Sequence, residues 1–158
     1  MQRARAIIRS LVLSLPLVLT FGGCPGAEVN EQTSKEEIRV LLEEFLPVLG
    51  EAYAQRDATL IRPFVAEKEI ARVNKRLEEL SDQGQVYEPT LQSITIEDVN
   101  VWSNSNAFVS TLEVWDVRRL AAGTEQVLTV IENQRNRVKY QMKRDTEGWR
   151  VLYRTIVE

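Results

Sequence analysis

From Ser34 onward the apolar residues fall at steps of three and four. Ile38, Leu41, Leu42, Phe45, Leu49, Ala52 and Tyr53 therefore lie on one stripe of a helix. Ser34-Lys35-Glu36-Glu37 has capping-box spacing, so this helix is expected to begin at Ser34. Pro47 lacks a backbone donor and predicts a kink or a split near Glu43 and Glu44. Asp57 reads as the cap of a short second helix running to Val65, with Pro63 counting against its regularity. Ala66 to Leu80 repeats the helical pattern: Ile70, Val73, Leu77 and Leu80 take one side, and the charged residues between them form a solvated face. Ser81-Asp82-Gln83-Gly84 closes the helical half.

From Leu91 the period changes to two. Ile94 and Ile96 are out of phase with Val99 and Val101, so an extra residue near Glu97 and Asp98 predicts a β-bulge. Ser103 to Asn106 supplies hairpin chemistry, Ala107 to Leu120 a second strand, Ala121 to Thr124 a turn, and Glu125 to Arg144 a long third strand. Asp145 to Gly148 turns once more into a last strand, Trp149 to Val157. Helices first and then an antiparallel meander of about four strands is an α+β layout. Trp149, at the start of the last strand, is expected to pack on the first helix near Phe45 and Tyr53.

Ahead of this pattern the chain has a different character. Arg3, Arg5 and Arg9 precede an apolar run from Leu11 to Phe21, which is followed by Gly22, Gly23 and Cys24. A basic head, an apolar stretch too short for the ~20 residues of a membrane-crossing helix, and small residues after it predict a signal peptide over residues 1–23. Phe21-Gly22-Gly23-Cys24 resembles the lipobox of bacterial lipoproteins, in which a glyceride is attached to the cysteine sulfur before cleavage ahead of it; Phe21 stands where an aliphatic residue is usual. That resemblance implies a lipid (palmitate or a similar acyl chain) on Cys24 and a membrane partner reached through it. An ordinary secreted protein and an uncleaved anchor are the alternatives. Pro25 to Thr33 reads as a tether, leaving one domain over residues 34–158.

Removal of residues 1–23 would leave 135 residues, enough for one domain with a full core. It would also change the balance to 17 basic against 23 acidic residues. Such a net negative charge argues against nucleic acid and against anionic lipid as partners. Cys24 is the only cysteine, so no intramolecular disulfide can form.

The segments "FLPVLGEAYAQRDATLIRPFV" and "MKRDTEGWRVLYRTIV", separated by long strands, resemble the cone-shaped fold of the nuclear transport factor 2-like superfamily. Within it, "AFVSTLEVWDVRRL" followed by "RVKYQMKRDTEGWRVLYRTIV" is similar to the terminal domain of plastid and cyanobacterial division proteins, the part facing the intermembrane or periplasmic space. The resemblance covers Ser34 to Val157 and implies N-terminal helices packed on a curved antiparallel sheet. The J-domain and membrane-spanning helix that accompany it in division proteins have no counterpart in this sequence, so a division role is not carried over.

Histidine is absent from the chain, which removes the side chain best suited to proton transfer near neutral pH. His-based metal sites and Ser-His-Asp triads go with it. No cofactor and no metal are expected. Strand alternation nominates Glu113 and Trp115 on one strand and Glu132 and Tyr140 on the next as residues facing into the cone. Two inward carboxylates would suit a small ligand or an isomerase-like base. The plainer reading places each glutamate at a strand end or pairs it with Arg118, Arg135 or Arg137 across the sheet. Arg135, Arg137, Lys139 and Lys143 line the other face of the long strand, as solvated surface or as a site for an acidic protein. The first functional reading is a non-catalytic binding or interaction domain, lipid-anchored on the extracytoplasmic side of a bacterial membrane, with a protein partner. A small-ligand carrier or enzyme using the cone is the alternative.

Overall fold

The computed structural model describes residues 26–158, with side chains from Glu31 onward. The expected leader and Cys24 lie outside the described residues. Two helices, α1 (Gly26–Gln55) and α2 (Glu67–Asp82), joined through a 3-10 turn (Ala58–Ile61), precede four strands: β1 (Gln85–Trp102), β2 (Asn106–Ala121), β3 (Val127–Asp145) and β4 (Gly148–Ile156). The strands form one antiparallel, curved and unclosed sheet in the order β1-β2-β3-β4, and the helices cover one face of it. The expected α+β layout is the one observed.

The stripe along α1 becomes the core. Ile38, Leu42, Phe45, Leu46, Leu49 and Ala52 are buried against Val109, Trp115, Val138, Tyr140 and Val151 of the sheet. The helix begins earlier than its capping box suggests. Residues from Gly26 onward, read from sequence as a tether, are helical, and Ser34 is buried within the helix instead of capping it. Nor does Pro47 split α1, because apolar residues on both sides of it are held by the sheet. Asp57 does cap the 3-10 turn, accepting from the Thr59 amide at 2.8 Å, but the turn ends at Ile61. Beyond it Val65 lies in a parallel bridge to Val151, with Ala66 N–H donating to the Val151 carbonyl at 2.8 Å, and so lines the outer edge of β4.

β1 begins six residues before the expected Leu91, and Pro89 is tolerated inside it because β1 is an edge strand. The register of β1 against β2 shifts at Leu91/Ser93 and again at Ile96/Asp98, the second being the predicted bulge. Ser103 and Asn104 both take left-handed backbone (φ 50° and 55°) in the three-residue turn between the paired Trp102 and Asn106.

A further irregularity was not visible in the sequence. Trp115 faces Gln134 and Val117 faces Ile131, so two steps on β2 match three on β3. Asn133 sits at φ 53° in this bulge, its amide donating to the Asp116 carboxylate at 2.8 Å. The extra residue reverses the phase of β3, so Asn136, Val138, Tyr140 and Met142 face the helices while Leu128, Val130 and Glu132 do not share that face.

Trp149 is buried, but beside Glu37 and Leu41 and under the Arg144 guanidinium (5.9 Å), nearer the start of α1 than expected. Phe45 meets Phe64 at 6.0 Å and Tyr53 meets Tyr87 at 5.4 Å in its place. The ladder explains the difference: Trp149 pairs with Arg144 at the β3–β4 turn, and Arg144 reaches Glu37 of α1.

Gly50 fixes how closely α1 approaches the sheet. A Cβ built there would stand 2.7 Å from the Pro89 carbonyl oxygen. In an unencumbered helix, Gly→Ala gains up to about 1 kcal/mol. Here Gly50→Ala should lower the melting temperature in a thermal denaturation followed by circular dichroism.

Candidate functional site

β2 presents Thr111, Glu113 and Trp115 toward the helices by simple alternation, and all three are buried. Glu113 is fully buried (0% exposed). Tyr140 of β3 lies on the same inner face, and Arg154 of β4 is the ladder partner of Tyr140. One carboxylate oxygen of Glu113 accepts from Thr111 Oγ1 at 3.2 Å and from the Tyr140 hydroxyl. The other accepts from Trp115 Nε1 at 2.9 Å and from Arg154 Nη2 at 2.5 Å. Arg154 Nε donates in turn to the Tyr140 oxygen at 3.2 Å. The carboxylate therefore has all of its roughly four acceptor sites engaged.

Electrostatics follow from this geometry. Burial pushes the Tyr140 phenol well above its ordinary pKa, with Arg154 opposing and Glu113 reinforcing the shift. Burial works against the charge of Arg154, but Tyr140 and Glu113 more than offset it, so the guanidinium stays charged. A second buried carboxyl, Glu69 on α2, is raised by desolvation and steadied by Arg72 at 3.0 Å. Arg72 also donates to the Arg154 carbonyl at 3.0 Å, which links α2 to β4.

Beside this cluster lies a cavity of ≈ 200 Å³, lined by Leu49, Tyr53, Tyr87, Trp115, Arg119 and Arg154 among others. Burial raises the pKa of both Tyr53 and Tyr87. The Arg119 guanidinium stands 5.9 Å from the Tyr87 ring, and its Nε is buried with no hydrogen-bond partner. A donor left without a partner at a cavity wall is a place where a polar ligand atom gains most.

Of the four residues nominated from sequence, the structure brings Glu113, Trp115 and Tyr140 together. Glu132 is exposed on the outer part of β3, removed from the cluster by the bulge at Asn133. The partner of Glu113 is Arg154, not Arg118, Arg135 or Arg137. Strand alternation from Trp149 and Val151 places Arg154 on the wrong face. A register shift between Gln141 and Met142 turns it inward. Among the described residues no group of three or more Cys, Asp or Glu side chains is arranged to hold a metal ion.

Helices on one face of a four-stranded, curved, unclosed antiparallel sheet give this chain the nuclear transport factor 2-like fold of the solved structures it resembles. The chain belongs to the ARC6-like, IMS domain family, whose model matches residues 48–152. Among solved structures it is similar to the intermembrane space region of the chloroplast protein ARC6. The two share 13% identity over 77% of this chain and 94% of that one, with a TM-score of 0.66. A nuclear transport factor 2-like superfamily protein from Salmonella enterica serovar Typhimurium LT2 is 12% identical over 80% of this chain and 91% of that one, with a TM-score of 0.54. A periplasmic fragment of TraM is 11% identical over 78% and 96%, with a TM-score of 0.51. No curated protein matches the sequence.

Removing one member of the buried pair leaves the other uncompensated, at a cost of about 3–5 kcal/mol. Glu113→Leu and Arg154→Met should each lose that much in denaturant unfolding, and the double variant should recover more than half of it. A double variant as unstable as the sum of the singles would mean that the two charges are not coupled. Because the Tyr140 pKa is raised on folding, its protonated form supports the fold fully below the ordinary tyrosine pKa of about 10. That support is lost as pH rises from there through the folded value. Stability measured from pH 9 to 11 should fall less steeply in Tyr140→Phe than in the parent protein.

Proposed function

We propose that this protein is an interaction domain of the bacterial cell envelope, tethered by a lipid on Cys24 to the extracytoplasmic side of a membrane, where it binds a protein partner without catalysing a reaction. The side is periplasmic where an outer membrane exists. Two lines support the location: the relatives include an intermembrane space region and a periplasmic fragment, and the segment ahead of Cys24 has the make-up of a lipoprotein leader. Among the described residues no helix is long and apolar enough to cross a membrane.

The observation that carries the interaction reading is the far end of the β2–β3 hairpin. β4 pairs with β3 only from Val138 onward, so the edge of β3 over residues 127–136 has no strand beside it among the described residues. Val127, Leu128, Val130 and Ile131 are all exposed there, Val130 by 55%. An open strand edge with apolar side chains is a liability that proteins cover, and an extended segment of a partner covers it by adding a strand. The outer edge of β1 differs, being interrupted by Pro89 and two register shifts.

A small ligand in the cavity beside Trp115 is the second reading, favoured by the unpartnered Arg119 Nε. Glu113 and Tyr140 would support its wall through Arg154. An isomerase-like role for Glu113 is not proposed, because its acceptor sites are filled by Thr111, Tyr140, Trp115 and Arg154.

Tests separate these statements. Metabolic labelling with a fatty-acid analogue should mark the protein, and Cys24→Ala should remove the label and release the chain from the membrane fraction; an unlabelled parent protein would refute the tether. A cross-linked partner recovered from membranes should be lost in Val130→Lys while melting temperature stays within a few degrees. Retention of the partner by Val130→Lys and by Leu128→Lys would exclude the β3 edge as its site.

A further inference from the structure

Trp102 and Phe108 are large, exposed (38% and 53%) and stacked on each other at 4.6 Å, yet the interaction site described above lies at the other end of the sheet. Both belong to the outer face. Trp102 pairs with Asn106, Phe108 pairs with Gln141, and the residue between them on β2, Ala107, is buried on the opposite face. The same register places Lys143 opposite Asn106, Lys139 opposite Ser110 and Arg135 opposite Val114, all three exposed on that outer face. Arg137, in the same row, is occupied by Glu97 and Glu158. Asp98, opposite Ser110 on β1, is the acid nearest in register. The result is an aromatic pair flanked by cations on a domain whose net charge is negative.

The position of this patch along the molecule decides what it meets. α1 and β1 touch at Gly50 and Pro89 and run antiparallel from there. The start of α1 lies about 36 Å from Gly50 at ~1.5 Å per residue, and Trp102 about 43 Å from Pro89 at ~3.3 Å per residue. Helix start and aromatic pair are therefore at one end. Two contacts tie that end together: Arg144 N–H donates to the Ser105 carbonyl at 2.8 Å, and the Arg144 guanidinium pairs with Glu37 of α1 at 3.1 Å. Only Pro25 separates Cys24 from Gly26, at most about 7 Å of chain. Gly26 lies eleven residues, about 16 Å, ahead of Glu37 along the helix, so the start of α1 projects from the same end of the sheet that carries Trp102 and Phe108.

We propose that Trp102 and Phe108, with Lys139 and Lys143, form a second contact with the membrane, so that the domain rests on the bilayer by the outer face of its anchored end. The inference rests on the lipid tether for its place in the cell, but its chemistry is that of an interfacial site in its own right. Tryptophan and phenylalanine settle at the boundary between headgroups and acyl chains, and lysines beside them pair with anionic headgroups. Net negative charge repels the rest of the domain from an anionic surface, which selects this face among all others. The overall charge balance alone argues against anionic lipid; the distribution over the sheet reverses that conclusion for one face. Such a contact orients the protein, with the open edge of β3 pointing away from the membrane.

Because Cys24 is the only cysteine, the chain from Cys24 onward, which contains every described residue, can be coupled through it to a maleimide lipid in vesicles of phosphatidylethanolamine and phosphatidylglycerol. This tests the contact whether or not the cell acylates Cys24. Phospholipid brominated near the headgroup should quench a substantial fraction of tryptophan emission, since Trp102 is within reach while Trp115 and Trp149 are buried. Quenching should fall several-fold in Trp102→Phe, and about as far in parent protein on vesicles of phosphatidylcholine alone or in Lys139→Glu with Lys143→Glu. Equal quenching in the parent protein and Trp102→Phe, or none in the coupled parent protein, would overturn the proposal. Quenching that survives on phosphatidylcholine and in the lysine variants would overturn the role given to the cations. Phe108→Ala, at an exposed site, provides a second variant, expected to lower quenching without lowering the melting temperature.

Discussion

A carboxylate placed in the middle of an apolar sheet face is unstable there unless every acceptor site is met, and Glu113 governs the structure for that reason. Its partners come from three strands: Thr111 and Trp115 from its own, Tyr140 from β3 and Arg154 from β4. The register of β2, β3 and β4 must therefore be correct to within one residue for the charge to be satisfied. A slip of either strand would bury an unpaired carboxylate, at a cost of several kcal/mol, comparable to much of the stability of a domain this size. A hydrophobic residue at position 113 would tolerate such slips. The ion pair thus specifies the sheet more than it strengthens it, and it carries the specification to the helices, because Arg72 of α2 bonds the Arg154 carbonyl and is itself paired with Glu69.

Much of this architecture could be read along the sequence, since burial imposes its period on any segment with one wet face. The stripe of α1, the regular pattern of α2, the four strands and the bulge near Glu97 and Asp98 all come from that constraint. The start of α1 was missed for a physical reason. Gly26 to Thr33 lacks an apolar stripe, and a helix can continue through such residues as an extension of a well-packed one without leaving a pattern. Ser34 offers the right capping chemistry but is buried inside the helix, so a local signal was overridden by the longer element.

The site was half legible. Glu113, Trp115 and Tyr140 lie in stretches where alternation is unbroken, and they face where alternation places them. Glu132 and Arg154 lie beyond bulges, and each bulge adds one residue and reverses every assignment after it. Neither bulge is marked by glycine. The first uses Asn133 in left-handed backbone, stabilised by the Asp116 carboxylate from the neighbouring strand, a long-range contact that no local pattern contains. Charged residues at strand ends are for this reason the least secure part of any face assignment made from sequence.

The bulge at Asn133 also has a consequence for how the two ends of the sheet differ. Before it, from Asn136 to Lys143, β3 is sealed on one face by the helices and charged on the other, as a solvated antiparallel sheet should be. Past it, toward Val127, β4 no longer pairs with β3, and apolar side chains are exposed from Val127 to Ile131 although Val117 opposite Ile131 is buried. A residue that faces the core in one half of the strand would face solvent in the other half without any change in spacing. Covering the far half would need a surface from another molecule, while the near half needs none. The division between a self-sufficient end near the β1–β2 turn and an incomplete distal end is therefore set by one inserted residue in β3, and this asymmetry is what favours the proposed binding role.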